Sequence, residues 1–269
     1  MEKKGLKKRN DLTQGSVVRT LILFSLPILG GSIVTQLYNL ADTVIVGQFI
    51  GKDALAAVSA STSVTTVINL FLIGLSAGST VMLAQSFGSG DLKRRQKVIN
   101  SIAFLTLLTA LALTVFGLII CRPLLTVMRT PEDIFKDANL YLIIIFCGTL
   151  GQMVYQMGSG ALRGMGDSTW SFLFLVICSI VNVVLDILAV AVLGWGVKGA
   201  AIATAVSQFV SGAGIIWRIN SGDYGVKLEF KNLRMYPEDV KEIVRIGLPA
   251  SIQNACNSLA TIMVQSFIN

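Results

Sequence analysis

Two aspartates, Asp42 and Asp186, sit deep inside long apolar stretches of a 269-residue chain whose other acids lie in polar segments. A charge at the centre of a bilayer costs about 2.5–3.5 kcal/mol on insertion scales, so each must be protonated, bound to a cation or facing water. No lysine or arginine falls beside them to neutralise them. Tyr38 precedes Asp42 by one helical turn, and Asn182 precedes Asp186 by the same spacing, so each pair shares a helix face. Gln36, Asn39 and Thr43 form an adjoining stripe, and Thr204, Ser207, Gln208 and Ser211 form another further along. Hydroxyls and amides around an acid make a small oxygen cage suited to a proton or to Na⁺. That cage would draw on Asp42, Asp186, Asn182 and Thr204, with Gln36, Asn39 and Gln208 facing a substrate. The same stripes also serve as polar glue between helices, and Asp42 is close enough to its helix end to sit near an interface.

The elements that carry these residues follow from composition. Hydrophobic residues make up 53% of the chain, charged residues only 14%, and mean hydropathy is +0.71. A soluble domain carries nearly twice that share of charge. The apolar residues come in blocks long enough to cross roughly 30 Å of hydrocarbon, and backbone inside lipid must satisfy its own hydrogen bonds, so the blocks are helices. Seven spans are expected, at about 17–49, 54–87, 98–120, 134–161, 169–193, 199–217 and from Ile246 onward. Pro27, followed by Gly30 and Gly31, marks a bend in the first.

The absence of histidine removes the commonest metal ligand and proton shuttle. Cys121, Cys147, Cys178 and Cys256 lack metal-ligand spacing and read as small apolar packing residues. No organic cofactor is expected, only a coupling ion.

The net charge of +7 is explained by topology, not by nucleic acid. With the N-terminus inside, 17 of the 22 Lys and Arg fall on inner segments, from Lys3 through Lys93 and Arg163 to Arg245. The other five, Lys52, Arg122, Arg129, Lys136 and Lys198, fall outside. That asymmetry predicts a cytoplasmic N-terminus in a multi-pass cell-membrane protein.

Residues 218–244 form a polar inner connector, whose Pro237, Glu238 and Asp239 mark the start of an amphipathic helix. Beyond it, IGLPASIQ resembles FSLPILGG of the first span, and TIMVQSFIN resembles TVIVGQFIG. The expected organisation is therefore a six-helix lobe over 1–217, a connector over 218–244, and the first helix of a second lobe over 245–269. A chain that stops inside a restarted span reads as truncated, with a C-terminal lobe missing.

Five segments carry a resemblance to a known family: LPILGGSIVTQLYNLADTVIVGQFIG, AQSFGSGDLKRRQ, ALRGMGDST, NVVLDILAVAVLGWGVKGAAIATAVSQ and the restart IGLPASIQ. Together they resemble the multidrug and toxic compound extrusion (MATE) family. The resemblance implies an all-α membrane protein, a six-helix N-lobe bundle plus a seventh helix that begins a second repeat, half of a twelve-helix, two-lobe transporter around a V-shaped cavity. It further implies export of cationic amphipathic compounds against H⁺ or Na⁺. Asp42 with Tyr38, Asn182 with Asp186, and Thr204 would then belong to the N-lobe cation-coupling site, with the two carboxylates close together.

Three other functions were weighed. A lipid-linked sugar flippase of the same wider group would line its cavity with arginines, and none is expected within the first six spans. An intramembrane aspartyl enzyme would place aspartate beside glycine, whereas Asp42 and Asp186 are flanked by Ala41, Thr43, Leu185 and Ile187. No enzyme is expected. A channel would need a repeated filter loop, which the sequence lacks. The orientation is directly testable: in intact cells, Lys93→Cys should be shielded from a membrane-impermeant thiol reagent and Lys52→Cys labelled, and labelling of the first would reverse the topology.

Overall fold

The structure is a computed structural model that describes the backbone of residues 16–222, 224–228 and 233–268, with side chains undescribed at 17, 52–56, 60, 63 and 259–268. Long helices make up its framework: α1 Val17–Phe49, α2 Lys52–Gly88, α3 Leu92–Val127, α4 Glu132–Gly164, α5 Ser168–Asp186, α6 Gly196–Ser221 and α7 Pro237–Ile268. Helices α1 to α6 are each long and apolar enough to cross a membrane, α5 by running on through a π-helical segment, Ile187–Val192. The chain is a multi-pass membrane protein. The seventh expected span lies in α7 and falls partly outside the described side chains.

Helices α2, α3, α4, α6 and α7 outrun the expected apolar blocks, in part because polar first turns are built to start helices. Asp91 caps α3, accepting from the backbone N–H of Lys93 and Arg94. Asp167 caps α5 through the N–H of Trp170. Glu132 and Asp133 occupy the first turn of α4, and Glu238 and Asp239 that of α7, where negative charge suits the helix dipole. The connector helix and the restarted span form one continuous helix, and Pro249 lies inside it as Pro27 lies inside α1.

Helix α4 is the axis of the bundle, packed against α2, α3 and α6, while α1 leans mainly on α5 at the edge. Leu21, Ile22, Leu23, Leu29, Ile33 and Leu37 of α1 are all exposed, the expected face toward lipid. Lipid is as apolar as leucine, so tight helix pairing here rests on close approach and polar contacts instead of hydrophobic burial. At the α2–α4 crossing, a Cβ at Gly160 or Gly164 would strike Ser76 or the Thr80 carbonyl. The contact admits hydrogen bonds instead: Ser76 Oγ donates to the Gln156 carbonyl (2.7 Å) and Thr80 Oγ1 to that of Gly160 (2.9 Å). The α2–α7 crossing is equally close, with Gly74 against the Ser251 backbone and Gly78 against the Ile243 carbonyl.

Polar clamps tie the ends together. Arg218 pairs with Asp167 at 3.0 Å and lies over the rings of Trp170 and Tyr224. The Tyr224 hydroxyl donates to the same carboxylate. Burial, then that hydrogen bond to Asp167, pushes the Tyr224 phenol well above its ordinary range. Arg94 of α3 pairs with the buried Asp239 of α7. Gln96 grips the connector by donating to the Lys227 carbonyl (2.7 Å) and accepting from its N–H (3.0 Å).

Close packing makes the glycines at crossings irreplaceable by larger residues. Gly160→Leu should cost at least about 1–3 kcal/mol from overpacking. Its midpoint of thermal aggregation in detergent should fall by several degrees, whereas Gly88→Ala, at a position with nothing within 4 Å, should leave it unchanged.

Candidate functional site

A cavity of about 1410 Å³ opens between α1, α2, α4, α5, α6 and α7. Helix α1 contributes Ile28, Gly31, Thr35, Tyr38, Asn39 and Asp42, the spacing of one helical face. Gln36, expected to face the substrate, is exposed and lies outside this lining. It stands one residue, roughly 100°, around the helix from Thr35, which turns it past the cavity edge. Asn39 and Gln208, expected beside it, do line the cavity.

The residues expected to form a coupling site converge at one end. Asp186 ends the regular part of α5 and is fully buried, at 0% exposure. The carboxyls of Asp186 and Asp42 lie within hydrogen-bonding reach of each other, although 144 positions separate them in the chain. In the orientation that satisfies both of its ends, the Asn182 amide donates to Asp186 Oδ2 at 2.8 Å and accepts from the Thr204 backbone N–H at 3.2 Å. The Tyr38 hydroxyl lies close to the side chain of Thr204. Helices α1, α5 and α6 thus meet through these five side chains. One oxygen of each carboxyl, Asp42 Oδ1 and Asp186 Oδ1, has no hydrogen-bond partner. Two carboxyls in contact cannot both be ionised cheaply in a low dielectric, so the pair has room and reason to hold one proton or cation.

Local structure explains how Asp186 reaches this place. The π-helical segment begins at the next residue, widening the turn directly after the carboxylate, a feature that concentrates at functional sites. Gly194 and Gly196, both with positive φ, then turn the chain into α6, and α6 brings Thr204 back beside Asn182. Ile45, Val46, Val58, Val190, Val197, Ala200 and Ala201 close a dry apolar plug around the site.

Tyr141 of α4 was not singled out by its sequence, yet it is buried in that plug and lies near both acids. Its neighbours Leu140, Leu142 and Ile143 gave no polar pattern to mark it. Asn69 and Gln152, hydrogen-bonded to each other, line the cavity between the two ends and were likewise missed. Arg163 requires a correction. It was assigned to an inner loop, and no arginine was expected within the first six spans, but its guanidinium lies in the cavity wall at the far end of α4. The helix runs three residues beyond its apolar block and carries the arginine with it.

Among the described residues no cluster of three or more His, Cys, Asp or Glu side chains could hold a transition metal. The oxygens at the acid pair suit a proton or a hard monovalent cation.

Residues 27–188, well over half of the chain, match the MatE family model. The chain belongs to the MATE family. It is 31% identical over 267 residues to the probable multidrug resistance protein YpnP of Bacillus subtilis, covering 97% of this chain and 58% of that protein. It is 26% identical to the FAD transporter of Shewanella oneidensis, over 98% of this chain and 59% of that one. Its fold is similar to the outward-facing structure of a MATE family multidrug resistance transporter, with a TM-score of 0.85 and 29% identity, covering 94% of this chain and 56% of that one. The MATE chain described here therefore spans about half the length of the relatives it matches.

Stability should reveal the site's polar logic. Asn182→Leu removes the amide that joins α5 to α6 and leaves Asp186 without its donor, a loss of about 1–3 kcal/mol. Asp186→Asn relieves a crowded carboxyl pair and should match or exceed the parent. Thermal unfolding in detergent at neutral pH compares them, and a lower midpoint for Asp186→Asn than for Asn182→Leu would contradict the crowding.

Proposed function

We propose that this chain supplies the N-lobe of a two-lobe exporter that drives amphipathic cations outward against an inward flow of protons. The contact between Asp42 and Asp186, with an unpartnered oxygen on each, carries the reading. A proton between the two carboxyls removes their repulsion and lets α1 pack on α5. Its loss restores the repulsion and favours separation of those helices. A site that prefers one arrangement when loaded and another when empty biases a two-state element, the requirement for coupling. Helix α1 is suited to move, because it is held chiefly by α5 and is otherwise exposed or turned to the cavity.

In the orientation that satisfies both of its ends, the Asn182 carbonyl is engaged by the Thr204 N–H and supplies no oxygen ligand to a Na⁺, which supports the proton. Thr204, Tyr38 and the acid pair then form the site, and the roomy cavity beyond, lined by Asn39, Gln208 and aromatic rings, takes the substrate. With the N-terminus cytoplasmic, the acid pair lies toward the outer face. The names of the relatives support small-molecule export, and the Shewanella relative's name extends the family's cargo to FAD.

Transport assays separate the parts of this reading. In vesicles carrying the two-lobe protein, an imposed pH gradient should drive export of an amphipathic cation such as ethidium, and a Na⁺ gradient at constant pH should not. Asp42→Asn and Asp186→Asn should each abolish coupled export while leaving insertion and folding intact. Residues 1–269 expressed alone should insert and confer no resistance. Undiminished export by both Asn variants would end the proposal.

A further inference from the structure

The end of the cavity remote from the two acids holds a charge that the proposed cycle does not use. Arg163, on the last turn of α4, donates from Nη1 to Ser171 Oγ of α5 and from Nη2 to Ser76 Oγ of α2, both at 3.2 Å. The Ser76 hydroxyl gives its own proton to the Gln156 carbonyl at 2.7 Å, so its lone pairs are what the arginine meets. Close α2–α4 approach at Gly160 brings Ser76 into reach. Side chains from two other helices therefore orient the guanidinium.

What the arginine lacks is a counter-ion. Among the described residues, Arg94 pairs with Asp239, Arg218 with Asp167 and Arg245 with Glu242, but no carboxylate lies within ion-pair distance of Arg163. Its titratable neighbour is the Tyr155 phenol. Two neutral hydroxyls occupy two of a guanidinium's five donors and none of its charge. A half-buried arginine that only stapled helices together would be expected to have an acid beside it, as Arg218 has Asp167 just across the next turn. Arg163 instead lines the substrate chamber, and a guanidinium fork matches carboxylate and phosphate oxygens.

We propose that Arg163, oriented by Ser76 and Ser171, is an oxyanion subsite that receives the carboxylate or phosphate of an amphipathic solute. The chamber then takes zwitterions and anions as well as cations. This rests on the reading of the cavity as the substrate chamber, but it needs no gradient and no coupling. At a rise of 1.5 Å per residue, Asp186 lies about 22 Å along α5 from Ser171, far enough that its Coulomb repulsion of an anion held here is weak. A phospholipid headgroup offers the same oxygens from a second source.

Cysteine chemistry inside the cavity tests the subsite at equilibrium. Gln156 lines the cavity about two turns before Arg163 on the same helix. Gln156→Cys is placed in the chain with Cys147, Cys178 and Cys256 changed to serine, and the buried Cys121 retained. Labelling is then compared between methanethiosulfonates bearing a sulfonate and a trimethylammonium, each corrected for its rate with a free thiol. With Arg163 present, the sulfonate should react at least about five-fold faster, and Arg163→Gln should erase that preference by slowing the sulfonate relative to the ammonium. Dodecyl phosphate should protect the cysteine, and dodecyltrimethylammonium should protect it far less. In phosphatidylcholine vesicles, protection by added dodecyl phosphate identifies a solute site. Protection that arises when phosphatidylglycerol is added identifies a lipid headgroup as the oxyanion. An unchanged reagent ratio in Arg163→Gln, or equal protection by both amphiphiles, overturns the subsite. If that variant does not insert, Arg163→Lys decides: it keeps the charge but loses the fork, so dodecyl phosphate protection should weaken severalfold, and undiminished protection overturns the two-pronged site.

Discussion

A carboxyl with no exposure, inside a segment that crosses lipid, must find every partner it needs within the protein. Asp186 meets that condition at 0% exposure, and much of the surrounding structure can be understood from it. Asn182 must lie one turn away to give it a hydrogen bond, and Thr204 must lie across on α6 to hold the Asn182 amide the right way round. The glycine turn after the π-helical segment brings α6 back at that height. Gly30 and Gly31 let α1 lie close against Phe172 and Leu175 of α5. The approach then sets Asp42 against Asp186, one oxygen of each unsatisfied.

The bundle that supports this contact is assembled without help from the hydrophobic effect between helices. Serine, threonine and glycine do that work along α2, α4 and α7, where backbones come close enough for hydroxyls to reach carbonyls on a neighbouring helix. The result is a rigid wall of α2, α3, α4 and α6 facing a lightly held α1. Rigidity on one side and freedom on the other suit the proposed coupling, in which occupancy of the site moves a helix.

Charge is distributed along the chamber with a similar economy. Asp42 occupies one end, with Asp186 buried behind it, uncharged amides such as Asn69 and Gln152 the middle, and Arg163 the other end. Outside the chamber, Arg94 and Arg218 are matched with acids, which fixes the connector and the start of α7 against α3 and α5.

The sequence alone determined the class of the protein, its membrane helices, its family, and five of the residues that meet at the acid pair. Those features are local: apolar block length, four-residue spacing and rare intramembrane acids are all visible along one strand of text. Helix ends were less legible, because polar first turns capped by Asp91 and Asp167 extend helices beyond the apolar signal. Tertiary structure decided which face of each helix turns inward. It sent Gln36 past the cavity edge, brought Tyr141 into the plug beside the acids, and carried Arg163 from an expected loop into the chamber wall. Each of those outcomes depends on the rotation and crossing of neighbouring helices. Hydropathy does not encode that rotation, since a residue one position along is about 100° around the helix and meets a different neighbour.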